Sequence, residues 1–217
     1  MNVVMYIPLF LQGFVGTVLS WFCATLISFI AGSCIGFLTS EFFSKTLFKR
    51  FLMMYIFIAR GIPAYLQILI FYYVIPSFFA IQIGPFYAAT AALAFCSSGY
   101  VAEIVRGGFN AIDSGQWDAA FVLGYSTHQA LFRIIVPQVL KMISPGLFGE
   151  IEQLLKSTSM LSSIGVLEIT RVGLNIISRE LNPIPVYCSI ACIYLFLSFL
   201  LQRINNFFES RMNHVNR

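Results

Sequence analysis

No charged side chain occurs before Glu41, and Phe14 to Leu38 forms one uncharged apolar run. An α-helix needs about 20 such residues to cross a bilayer. In hydrocarbon the backbone must satisfy its own N–H and C=O groups, so a run of this kind dictates a helix. The rest of the chain conforms. Its 217 residues are 59% hydrophobic and only 10% charged, with a mean hydropathy of +0.84. A soluble domain carries about 25% charged residues. The composition therefore excludes a water-soluble globule of this size and predicts an all-α membrane protein. The N-terminus lacks a basic region, and the first span is too long for a signal-peptide core, so that span is expected to stay in the membrane.

Five spans are expected within a single domain over residues 1–217. They are Phe14 to Leu38, Ile62 to Phe79, Pro85 to Ile104, Ile143 to Leu167 and Ile184 to Leu201. Leu52 to Ala59 reads as an interfacial lead-in to the second span, whose start is complicated by Arg60 and Pro63. Basic residues mark cytoplasmic loops. Lys45, Lys49 and Arg50 follow the first span, Arg106, Arg133 and Lys141 flank the third-to-fourth connection, and Arg203, Arg211 and Arg217 lie in the tail. The segment before the fifth span balances Glu168 and Glu180 against Arg171 and Arg179. This distribution places the N-terminus outside and the C-terminus inside.

One segment departs from the lipid-like pattern. Residues 107–137 have mixed polarity and read as two short helices. Asp113 and Ser114 are good N-caps, and Gly124 suits a left-handed position closing the first helix, Gln116 to Leu123. Ser126 with Gln129 forms a capping-box pattern for the second, which is expected to end or kink at Pro137. Trp117, Ala120, Phe121 and Leu123 give the first helix an apolar surface, although so short a helix is marginal alone. It packs either on its own bundle or in a partner's groove.

Polar groups within the spans are few and costly. Glu152 and Lys156 stand at i, i+4 and are expected to pair. Glu150 and Ser157 are seven residues apart and share a helix face. Arg60 is expected at the interface, either as an anchor snorkelling to headgroups or as a gate or inter-subunit contact. Glu103 stands at i, i+3 from Arg106. Gly32 and Gly36 form a small-xxx-small pair that fits close helix packing or mere background. Cys23, Cys34, Cys96, Cys188 and Cys192 all lie in apolar stretches and read as small hydrophobes. His128 and His214 read as solvated, so no catalytic or metal-ligating residue is expected.

Several motifs, in order, resemble the polar amino-acid branch of ABC-importer permeases. Asp118-Ala119-Ala120, Gly124 and Ile134-Ile135-Val136-Pro137 look like that family's EAA loop, with Asp for Glu and Val for Leu. Gly99 to Glu103, Arg106-Gly107-Gly108, Gly115-Gln116, Arg60-Gly61-Ile62-Pro63 and Lys156 to Ser159 add to it, with Ile62 standing for the usual Thr. The resemblance implies a type I importer fold with a cytoplasmic coupling helix seated in an ATPase subunit. Its coupling residues would be Gly115, Gln116, Asp118, Ala119, Ala120 and Gly124, with Asp118 holding the turn by hydrogen bonds. It also implies a substrate-lining face at Glu150 and Ser157, and structural or gating roles for Arg60, Pro63 and Glu103. Gly149 departs from the family's usual Asn.

The chain has no G-x-x-x-x-G-K-[ST] loop, so ATP and Mg are expected on a separate ATPase rather than on this chain. The resemblance further implies two ATPase subunits, a second permease protomer, an extracytoplasmic solute-binding protein and an inner-membrane location. Glutamine and arginine- or histidine-like solutes are the expected cargo. Two other classes have distinct sequence signatures. A self-sufficient secondary transporter or channel would commonly show internal repeats with paired broken helices, which the five spans lack. An intramembrane enzyme would need a reactive constellation, and the sequence holds no HExxH motif or paired His ligands.

Overall fold

The computed structural model describes residues 3–42 and 47–214; Lys45 and Arg217, two of the expected orienting charges, lie outside them. The described residues contain ten α-helices: α1 Ile7–Thr39, α2 Leu47–Gly61, α3 Ala64–Leu69, α4 Ile75–Phe78, α5 Pro85–Asn110, α6 Ser114–Val122, α7 Thr127–Ala130, α8 Val136–Ser157, α9 Ile169–Glu180 and α10 Pro183–His214. Four helical stretches are long and apolar enough to cross a membrane, and a fifth span forms if the bent pair of α2 and α3–α4 counts as one.

The first helix shows the logic of the fold. Apart from Phe10, the buried residues on α1 are small or weakly polar: Gly13, Thr17, Ser20, Ala24, Ser28, Gly32, Gly36 and Thr39. Its large side chains point outward, with Val15 and Ile30 each 62% exposed. This inverts the pattern of a soluble helix. In a bilayer, bulky apolar groups lose nothing by facing lipid, while small ones let backbones approach. A Cβ added at Gly36 would stand 2.5 Å from the Ala102 carbonyl oxygen, and one at Gly32 would stand 2.7 Å from that of Ser98. The Gly32–Gly36 pair is thus the part of a longer small-residue stripe along which α1 lies on α5.

The second span begins earlier than expected and is broken. Leu47–Gly61 is a continuous helix rather than an interfacial lead-in, and the chain then turns through 103° into α3. The main-chain amide of Glu41, just past α1, donates to Asn110 Oδ1 at the end of α5, and Lys49 Nζ donates to the Ser40 carbonyl. The segment α2–α4 therefore starts beside the Asn110 end of α5 and must deliver the chain to Pro85 at the other end. It is a broken span, not a re-entrant loop. Pro63 sits at the N-cap of α3, where its missing N–H costs nothing. The carbonyls of Ala59 and Ile62, exposed by the break, accept hydrogen bonds of 2.8 and 2.7 Å from the buried Gln67 side chain.

Prolines also explain two wide helical turns. Residues Ile70–Val74 and Leu131–Ile135 are π-helical, and each turn ends one residue before an X-Pro step, at Pro76 and Pro137. The wider turn absorbs the hydrogen bond that proline cannot donate. Pro137 consequently does not end the helix. The chain stays helical over Thr127–Ile164, 38 residues in all. Within α8, Pro145 leaves the Lys141 carbonyl without its usual donor, and the Ser144 hydroxyl supplies one at 3.0 Å.

Helix α9 lies along the first half of α1. Glu168, expected to be one of several balancing loop charges, is instead fully buried at its N-cap. Its carboxylate accepts 2.7 Å bonds from the amides of Thr170 and Arg171, and the Tyr194 hydroxyl of α10 lies 3.3 Å away. Thr17 of α1 accepts from the Ile169 amide at 3.1 Å. Burial outweighs these bonds and pushes the carboxyl up to about 7.

Candidate functional site

Two places concentrate polar, non-lipid features, and α5 connects them. The first is the loop at its Asn110 end. Asp113 caps α6 by accepting from the Gly115 amide at 2.6 Å. The helix closes with a Schellman motif: the Tyr125 amide donates to the Ala120 carbonyl at 3.1 Å and the Gly124 amide to that of Phe121 at 3.0 Å. Gly124 stands at φ +82°, the left-handed geometry that the sequence pattern anticipates. Ser126 and Gln129 then form a complete capping box.

The apolar surface of α6 divides. Ala120 is buried, and the Trp117 ring stacks on Phe42 with centroids 5.0 Å apart. Phe37 continues this contact to Phe109 of α5, again at 5.0 Å. Phe121, Val122 and Leu123 face outward at 47, 87 and 74% exposure. One side of this surface therefore packs on the bundle, and the other has no cover among the described residues. Gly115, Gln116, Asp118, Ala119 and Gly124 are exposed. Asp118 makes no side-chain hydrogen bond among the described residues, so the turns are held by Asp113 and Ser126 instead. His128 is exposed and rests against Phe132 at 4.6 Å.

The second place is a cavity of about 430 Å³ where the broken span meets α5 and α8. Arg60 and Pro63 come from the break, Ser97 and Tyr100 from α5, and Glu150 and Ser157 from α8. Glu150 and Ser157 thus share a cavity wall. The half-buried Glu150 forms no ion pair among the described residues. The Ser97 hydroxyl lies beside its carboxylate without reaching ordinary hydrogen-bond geometry, leaving both with bonding capacity toward the cavity. Glu152 is elsewhere on the helix, paired with Lys156 at 2.7 Å as its spacing predicts. A larger groove of about 620 Å³ between α1 and α10 is lined almost wholly by apolar side chains such as Phe10, Phe14 and Phe196. It suits lipid rather than a polar solute.

Arg60 is exposed and has partners within the chain. Its Nη1 lies 3.3 Å from Glu103 Oε2, and its guanidinium sits over the Tyr100 ring, 5.4 Å from the centroid. Arg106 pairs with the other Glu103 oxygen. Glu103 thus joins α2 to α5 one turn beyond the cavity. Sequence reasoning missed Gln67 and Glu168 as organising residues; the available signal was a lone polar side chain next to an apolar run, which spacing alone leaves without a partner.

A broken second span, a helical loop at one end of the bundle and five crossings define a transport-system permease. The chain matches the family described as "Binding-protein-dependent transport system inner membrane component" over residues 32–214, and it belongs to that family. It is 36% identical over 163 residues to the octopine transport system permease protein OccM of Rhizobium radiobacter, covering 71% of this chain and 66% of that one. It is 31% identical to the arginine transport system permease protein ArtQ of Bacillus subtilis (95% of this chain, 93% of that one) and 30% identical to the glutamine transport system permease protein GlnP of Escherichia coli (95% and 94%). A crystal structure of an amino acid ABC transporter with histidines superposes with a TM-score of 0.89 at 34% identity, covering 97% of each chain. The MetNI methionine transporter in inward-facing form matches at a TM-score of 0.81 and 16% identity, which shows the type I fold alone.

Proposed function

We propose that this chain, as the permease component of an amino-acid ABC importer, forms half of the translocation pathway and works by alternating access. The observation that carries this reading is the continuity of α5. One helix contributes Ser97 and Tyr100 to the cavity and runs, after three residues, into the exposed-tipped α6. A displacement of α6 is thereby delivered to the cavity wall. Gly115, Gln116, Asp118, Ala119, Ala120 and Gly124 form the coupling element, with Phe121, Val122 and Leu123 entering a cleft of the ATPase. Glu150 and Ser157 line the substrate path; Arg60, Pro63 and Glu103 set its geometry.

In this reading, two ATPase subunits bind ATP and Mg, a second permease protomer completes the path, and an extracytoplasmic binding protein delivers the solute. The N-terminus lies outside and the C-terminus in the cytoplasm. The solute is an amino acid of the polar class, consistent with relatives named for arginine and glutamine transport. The test is ATP hydrolysis in nanodiscs holding the permease and its ATPase, titrated with binding protein and single amino acids. Stimulation by one liganded binding protein, lost when residues 115–124 are scrambled, is the expected result. Solute movement in liposomes holding this chain alone would favour a self-sufficient transporter.

A further inference from the structure

We propose that Arg60 is a shared ligand: Glu103 holds its guanidinium before a substrate arrives, and the carboxylate of the bound amino acid takes it afterwards. This rests on reading the cavity as the amino-acid path. Four observations point to the exchange. First, Arg60 lines the cavity and also pairs with Glu103, so it stands between the two anions. Second, its hold on Glu103 is a single contact of 3.3 Å, and its side chain is 41% exposed. A guanidinium gains most from a bidentate carboxylate, and the present contact leaves much of its fork unused.

Third, Glu103 does not depend on Arg60. Arg106 pairs with Oε1 and also brings Nε within 3.4 Å of Oε2. When Arg60 departs, the carboxylate keeps a cation from its own helix, so the exchange strands no charge. Fourth, the Tyr100 ring supports the guanidinium from its face. A cation–π contact tolerates rotation within the plane of the cation, so Tyr100 serves as a pivot while the anion changes. On α8, Glu150 offers an unpaired carboxylate for the substrate ammonium. A zwitterion bound between Glu150 and Arg60 brings no net charge into the membrane.

The exchange has a mechanical consequence. The Arg60–Glu103 pair is an ionic tie between α2 and α5, and α5 leads into α6. Filling the cavity releases that tie and frees the end of α5 that bears the coupling loop. Cavity occupancy is thereby reported to the ATPase.

The test uses the assembled permease–ATPase complex without binding protein. Equilibrium binding of radiolabelled L-arginine, L-glutamine and L-cystine is measured, with the α-carboxamide of each as competitor. The wild type is expected to bind at least one of them and to prefer acid over carboxamide by about tenfold or more. Arg60→Gln should weaken acid binding and shrink that preference to within about twofold, with Arg60→Lys in between. Glu103→Gln should tighten acid binding about three- to tenfold, because the competing anion is gone. A merely structural ion pair predicts loss in both variants, so the opposite directions separate the two roles. Weaker binding in Glu103→Gln, or full acid preference in Arg60→Gln, overturns the exchange. If Glu150→Gln still abolishes binding in that case, the cavity reading stands without it. Failure of the wild type to bind any of the three, or indifference to Glu150→Gln, removes the cavity reading and the exchange together.

Discussion

The α6–α7 loop and the cavity sit at two levels of one helix, α5, yet they are built in opposite ways. The loop is local. Asp113, Gly124, Ser126 and Gln129 bond to groups two or three residues away, and each helix end is closed by its immediate neighbours. The cavity is assembled from a helix break near residue 62, the middle of α5 and the middle of α8. The lesson is that the loop is held by short-range code and the cavity by long-range packing. Substitutions in the packed regions should accordingly cost more than those in the loop.

The largest effect should come from Glu168, held between α1, α9 and α10. Its folded value of about 7 lies above the ordinary carboxylate value of 4.5, so the folded state holds the proton more tightly. Stability is full below pH 4.5, falls as pH rises, and reaches its floor above about 7, a loss of about 3 kcal/mol. Thermal unfolding in detergent across that window should show the slope, and Glu168→Gln should flatten it. A wild-type midpoint that rises with pH would contradict the assignment. Next, Gln67→Met removes both bonds to the Ala59 and Ile62 carbonyls, and should lower stability by about 2 kcal/mol and shift binding at the cavity; an unchanged melting curve would show that the break holds itself.

In the loop the effects should be smaller in stability and visible mainly in assembly. Gly124→Val forces a β-branched residue into the left-handed region, at a cost of about 1–2 kcal/mol. Co-purification with the ATPase should fall sharply while the membrane bundle melts nearly as before. Ser126→Ala deletes half of the capping box and should cost about 1 kcal/mol, seen as faster amide exchange at Gln129. Glu152→Gln breaks the exposed pair with Lys156, and should change stability by less than about 1 kcal/mol and leave transport intact. A large transport defect there would move the substrate path onto another face of α8. If the loop substitutions destabilised the bundle as strongly as the packed-region ones, the contrast between local and long-range construction would fail.

Membrane insertion, five crossings, the capped and glycine-closed loop and the Glu152–Lys156 pair were all legible in the amino-acid sequence, because each depends on residues within about one or two helical turns of one another or on hydrophobic length. The family followed from ordered motifs of the same short-range kind. Tertiary structure alone decided that the second span breaks through 103° under the brace of Gln67, that Arg60 joins Glu103, that Glu168 is buried and that Pro137 passes within a continuous helix. Each depends on a partner brought close by packing or on slack absorbed by a neighbouring turn. Spacing along one helix tells which face a residue occupies, but not what another helix places against that face.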